Sequence, residues 1–192
     1  MELDIVSVRL KKEDTLFHTL PYIKDDKDAA YLFREFLSDI DREVVALLTL
    51  DAKLKPINLS VVSMGTLNSS LVHPREIFKT AILSNAQSVM LGHNHPSGDP
   101  TPSEEDIQLT ARLQQVGELL GIELLDHIVI GKGDRYCSLA GEQYLTFPGR
   151  QRLSKGKSVA QESLEEKVPK QWKEILNRKS VLSKLSKWPG GR

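Results

Sequence analysis

One cysteine, Cys137, is all the thiol this chain carries. A single thiol cannot close an intrachain disulfide, and it fits a reducing, cytoplasmic setting. It also excludes a zinc site of the nucleobase-deaminase kind, which needs a Pro-Cys-x-x-Cys beside a His/Cys-x-Glu. In Arg135-Tyr136-Cys137-Ser138-Leu139 it reads as a small residue packed on a terminal strand. No apolar run approaches the ~20 residues that span a bilayer. The opening Met1-Glu2-Leu3-Asp4 lacks the basic and apolar stretches of a signal peptide. Internal repeats are absent too. A soluble, cytoplasmic protein is expected, with one core domain and an appendage in 192 residues.

Net charge is also lacking, but the zero conceals an asymmetry. Residues 149–192 hold twelve Lys/Arg against four Asp/Glu, which leaves 14 against 22 in the first 148. The body is acidic and the tail basic, a pattern expected of a tail with its own partner or one that folds on the body. Within it, 149–164 is Ser/Gln-rich and reads as a linker. From 171 to 188, Trp172, Ile175, Leu176, Val181, Leu182, Leu185 and Trp188 recur among basic residues, as in an amphipathic helix interrupted near Asn177. Docking on the acidic body or a partner is the simplest role. Nucleic-acid phosphates and an anionic membrane surface are the alternatives.

What the chain does have is concentrated between His93 and Asp106. Two histidines one residue apart, His93 and His95, are followed by Pro96, Gly98, Pro100 and Pro102, and then by Ser103-Glu104-Glu105-Asp106. On an extended segment, side chains at i and i+2 share a face, so both imidazoles can address one ion. The prolines make a stiff loop, and Ser103 opens an amphipathic run that ends at Gly121. Each piece has a plainer meaning. Ser103-x-x-Asp106 is a helix capping box with Asp in place of Glu, and His-x-His alone is more often a surface or packed pair. Together they bring two imidazoles and a carboxylate to one place, a donor set that zinc prefers when no thiolate is offered. The cap and the ligand roles are compatible. An HNH nuclease is not implied, because its named residues are dispersed rather than consecutive.

Periodicity predicts the framework. Asp4–Leu10 reads as a first strand and Asp25–Ile40 as a helix. Val44–Leu50 is a continuous apolar run, hence a buried central strand. Ile57–Met64 and Ser88–Gly92 are strands, and Glu76–Ser84 and Ser103–Leu120 helices. Leu124–Ile130 and Tyr136–Leu139 complete the sheet of a three-layer α/β domain. The expected divisions are 1–24 as strand and lead-in, 25–148 as the domain and 149–192 as the tail.

Several stretches resemble a known family. They are His93-Asn94-His95-Pro96-Ser97-Gly98, Gly65-Thr66-Leu67-Asn68 followed by His73-Pro74-Arg75-Glu76, and Asp126-His127-Ile128-Val129-Ile130-Gly131. The likeness is to the RadC-like branch of the JAMM/MPN (JAB) zinc hydrolases, whose pattern is a distant Glu, His-x-His, seven residues and Ser-x-x-Asp. Residues 96–102 fill that gap, and the likeness is dense over roughly residues 25–140.

The resemblance implies a JAB1/MPN-like, cytidine-deaminase-like domain with a mixed, curled sheet. It implies His93, His95 and Asp106 as ligands of Zn²⁺, and Ser103 as the hydroxyl that helps hold the oxyanion or the water. Asp41-Arg42-Glu43-Val44-Val45 looks like the family segment that supplies the glutamate, so Glu43 is the expected general base. Glu76 is its rival, although an acid in the first turn of a helix begun by Pro74 is also explained by the helix dipole. Arg75, Glu76, Asn94 and His127 are candidates for substrate contact or for support behind the ligands. The implied activity is a metallopeptidase-type cleavage of a peptide, isopeptide or small amide. The alternative is a non-catalytic JAB scaffold, or a DNA-associated protein acting through its basic tail. Full-length RadC-like proteins carry an N-terminal helix-hairpin-helix segment, which this sequence does not show.

Overall fold

A computed structural model describes residues 4–13, 16, 18–37, 40–64 and 72–147. The linker and helix expected within 149–192, and the segment Gly65–Asn68, lie outside the described residues. Among those described, three helices and five strands follow in the order α1 (Asp26–Leu37), β1 (Val44–Leu50), β2 (Pro56–Met64), α2 (Pro74–Leu83), β3 (Ser88–Asn94), α3 (Glu104–Leu120), β4 (Glu123–Ile130) and β5 (Tyr136–Ser138). No described helix is long and apolar enough to cross a membrane.

The strands form one open, mixed sheet in the order β2-β1-β3-β4-β5. β1 lies antiparallel to both neighbours, β3 parallel to β4, and β5 antiparallel to β4. Parallel neighbours need a crossover, and α3 supplies it between β3 and β4. Every residue of β1 and β3 is buried. That is the reason Val44–Leu50 is apolar without alternation but for Thr49: helices cover both faces of the sheet. On one face Val45, Leu47, Val89, Leu91 and Val129 pack with Ile77, Phe78 and Ala81 of α2 and Leu109 and Leu113 of α3. On the other, Ala46, Leu48, Met90 and Ile128 pack with Ala29, Leu32, Phe33 and Leu37 of α1.

α1 begins where the Asp25 carboxylate accepts the Asp28 N–H at 3.0 Å, a cap on the first turn. Its described span reaches Leu37, and Ile40, outside the helix, packs against the same cluster. α3 starts and stops as its sequence signals predict, with Ser103 as N-cap and Gly121 in the left-handed region at φ 69°.

Two expectations need correction. Asp4–Leu10 forms no strand; Ile5, Val6 and Val8 stand 92, 81 and 69% exposed. Alternation fits a residue run for a sheet but does not supply the neighbour, and no described strand pairs with this one. Second, β3 does not stop at Gly92 but continues through His93 to Asn94. Gly92 is there for close packing: a Cβ on it would lie 2.4 Å from the Phe33 ring. α1 therefore rests directly on the strand one residue before the first histidine.

Candidate metal centre

The strand directions bring three chain segments to one edge of the sheet. β3 delivers His93 at its end and His95 just beyond. β1, antiparallel, begins beside it, with Val45 opposite His93, so Glu43 precedes the first paired residue. α3 then returns its N-terminus, and Asp106 with it, to the same place. His93 and Asp106 are fully buried, while His95 and Glu43 are partly open, with side chains 16% and 20% exposed.

The hydrogen bonds behind the two histidines fix which nitrogen of each is bare. The Thr110 hydroxyl donates to the Asp106 carbonyl, so its oxygen accepts from His127 Nδ1–H at 2.6 Å. Burial pushes the His127 pKa well below the imidazole range, which keeps the ring neutral. Its Nε2 therefore accepts from His93 Nδ1–H, at 2.8 Å. His95 Nδ1–H donates to the Asp99 carbonyl at 2.7 Å. In both rings Nε2 is left with its lone pair, and the two Nε2 atoms face each other at 3.0 Å. Facing lone pairs repel unless a cation lies between them. The Asp106 carboxylate beside His95 raises its pKa against the opposing effect of burial.

Asp106 completes the cluster by dividing its two oxygens. Oδ2 accepts the Ser103 N–H at 2.7 Å and the Ser103 hydroxyl at 2.6 Å, and Ser103 Oγ accepts the Asp106 N–H at 3.2 Å. That is the reciprocal capping box. Oδ1 is buried and accepts no hydrogen bond, yet lies 3.3 Å from His93 Nε2. An unmet buried carboxylate oxygen costs free energy unless a positive group satisfies it. Burial disfavours the Asp106 carboxylate, but His93, His95 and Ser103 outweigh it and hold the group below the usual carboxylate range.

The spacing suits a small divalent ion. Ligand atoms about 2.0–2.1 Å from a tetrahedral ion lie roughly 3.3–3.4 Å from one another. The His93 and His95 Nε2 atoms stand 3.0 Å apart, Asp106 Oδ1 stands 3.3 Å from His93 Nε2, and Asp106 Oδ2 stands 3.7 Å from His95 Nε2. Glu43 Oε1 is 3.8 Å from His95 Nε2, and Glu43, His93 and His95 present ligand atoms all within 4.8 Å of one another. This cluster could hold a metal ion.

Glu76 and Arg75 are elsewhere. Glu76 pairs with Lys79 at 2.5 Å and Arg75 at 3.3 Å, and both line a groove of about 620 Å³ between α2 and α3 that shares no residue with the cluster. His73 caps α2 by accepting the Arg75 N–H. Asn94 does not face the cluster but bonds to the backbone on either side of Glu43. Asp126 accepts from His127 N–H, Ala140 N–H and the Ser138 hydroxyl, which anchors β4 and β5 around His127. Sequence reasoning missed Thr110. Its one legible sign was a hydroxyl one helical turn after Asp106, on the apolar side of α3.

A family model described as RadC-like JAB domain matches residues 23–144. A UPF0758 protein of Desulfitobacterium hafniense is 51% identical over 119 residues, covering 62% of this chain and 52% of the relative. Another, of Desulforamulus reducens, is 54% identical over 117 residues, covering 61% and 51%. One from Clostridium tetani is 50% identical over 123 residues, covering 64% and 54%. The chain spans about half the length of the curated relatives it matches.

Proposed function

This chain belongs to the RadC-like JAB domain family, and on that premise we propose that it is a zinc-dependent hydrolase of amide-type bonds. His93, His95 and Asp106 would hold the ion and Glu43 would act as general base. The observation that carries the reading is the convergence of two bare imidazole nitrogens, 3.0 Å apart, with an unbonded carboxylate oxygen 3.3 Å from one of them. Zinc is the ion that two neutral imidazoles and one carboxylate favour, and three protein ligands leave a position open. When bound, it supplies Lewis acidity and lowers the pKa of water toward neutrality.

The chain's own groups do the rest. Glu43 is partly open to solvent, with Oε1 3.8 Å from His95 Nε2, which suits a group that handles protons beside the open position. It takes a proton from the attacking water and returns it to the leaving amine, giving an acid and an amine. His127 and Thr110 hold His93 in the tautomer that presents Nε2. Ser103 fixes Asp106 through Oδ2. Its hydroxyl reaches a substrate oxyanion only by giving up that bond. A peptide, isopeptide or small amide is the proposed substrate class.

The test is hydrolysis of a panel of short peptides and lysine isopeptides by the zinc-loaded chain and by Glu43→Gln. The native chain should cleave at least one class, and the variant should keep its zinc while losing about 10²–10⁴-fold in rate. Full activity in Glu43→Gln with zinc retained would remove the glutamate from the mechanism.

A further inference from the structure

Asn94 stands between the two histidines and points the other way. Along β3, Val89, Leu91 and His93 face α2 and α3, while Met90, Gly92 and Asn94 face α1. The Asn94 side chain is almost fully buried, and all three of its hydrogen bonds reach residues some fifty positions earlier. Oδ1 accepts the Val44 N–H at 2.9 Å. Nδ2 donates to the Arg42 carbonyl at 2.9 Å and to the Ile40 carbonyl at 3.2 Å.

Arg42 and Val44 are the neighbours of Glu43, so one amide grips the backbone on both sides of that residue. On this flank nothing else in the ladder does so, since the pairing of β1 with β3 begins only at Val45 opposite His93. The grip also explains the residue type. One planar group must accept once and donate twice, which Asn does and Asp, Ser or Ala cannot. A carboxylate there would face two carbonyl oxygens. Because Asn94 is covalently fixed between His93 and His95, it ties the segment bearing the carboxylate to the segment bearing the imidazoles.

We propose that Asn94 is a positioning residue that sets the Glu43 carboxylate against the metal-binding histidines by clamping the peptide groups on either side of it. The inference rests on the reading of Glu43 as the proton-handling group. It makes His93-Asn94-His95 a single device, with two ligands on one face and a clamp for the base on the other.

A double-mutant cycle on the full chain tests it. Asn94→Ala, Glu43→Gln and the pair are loaded with zinc for hydrolysis rates and with cobalt for the visible spectrum as a function of pH. Asn94→Ser is carried alongside in case alanine impairs folding. Asn94→Ala should keep one metal ion per chain, lower kcat about 10–100-fold with KM little changed, and move the midpoint of the cobalt spectrum in the same direction as Glu43→Gln. Amide exchange at Val44 should quicken. In the Glu43→Gln background, removing Asn94 should have no further effect on rate or midpoint, because it acts through the carboxylate. An equal loss in both backgrounds would overturn the proposal, as would an unmoved midpoint in Asn94→Ala where Glu43→Gln moves it. If Glu43→Gln itself alters neither readout, the base assignment is what fails, and the clamp loses its purpose with it. Loss of metal from Asn94→Ala and Asn94→Ser would also contradict it, by showing that the amide holds the ligands rather than the base.

Discussion

His127 is fully buried behind His93, and it decides which nitrogen His93 offers. Its own Nδ1–H goes to Thr110, so its Nε2 can only accept, and His93 can only turn a bare Nε2 toward His95 and Asp106. His127→Ala removes that acceptor and opens a cavity behind His93. Zinc affinity, measured by competition with a chromophoric chelator, should fall about 10–100-fold; an unchanged affinity would show that the tautomer needs no support. Cys137 gives a second expectation at this scale. Burial, with Glu142 and Asp126 nearby, pushes its thiol up to about 11. A folded pKa above the unfolded value of about 8.5 means the fold favours the protonated thiol. That contribution is complete below about pH 8.5 and is lost as pH rises toward 11. An aromatic disulfide reagent at pH 8 should therefore label Cys137 slowly in the native chain and at once in denaturant. Rapid native labelling would contradict the burial. From sequence, the His-x-His and the acid of Ser103-x-x-Asp106 were legible because their spacing is local. Thr110 and the direction of Asn94 were not, because each takes its meaning from a partner remote in sequence.

At the scale of elements, the start of α3 shows one motif serving two purposes. A capping box normally needs both carboxylate oxygens for nothing beyond the cap; here Oδ2 closes the box and Oδ1 lies 3.3 Å from His93 Nε2. Ser103→Ala should cost about 1 kcal/mol of stability through the lost cap. It should also weaken metal binding, since Asp106 loses the hydroxyl and its fixed orientation. Thermal melts of the metal-free chain and titration with zinc separate the two effects. A stability loss with undiminished affinity would mean that the helix end alone positions the carboxylate. Element types were readable because β1 and α3 carry unmistakable patterns, one apolar but for Thr49 and one with a serine start and glycine stop. Gly92 misled because glycine marks both strand ends and close approach, and only the Phe33 ring above it distinguishes the two. Asp4–Leu10 misled because periodicity describes a residue's two faces but not the neighbour a strand must have.

At the scale of the molecule, the cluster exists because β1 and β3 run in opposite directions and α3 returns to the end of β3. That topology brings Glu43, His93, His95 and Asp106 together across 63 residues of chain. It leaves Glu76 on α2 among Lys79 and Arg75, a separation that two glutamates in similar sequence settings could not reveal. The central claim is that this convergence is a metal site. Native mass spectrometry of the full 192-residue chain after exposure to zinc, beside His93→Ala, Asp106→Ala and Glu43→Gln, tests it most directly. One zinc ion per chain should be found in the native protein and in Glu43→Gln, and none in His93→Ala or Asp106→Ala. A native chain that takes up no ion, or ligand variants that bind it as fully as the native chain, would contradict the claim.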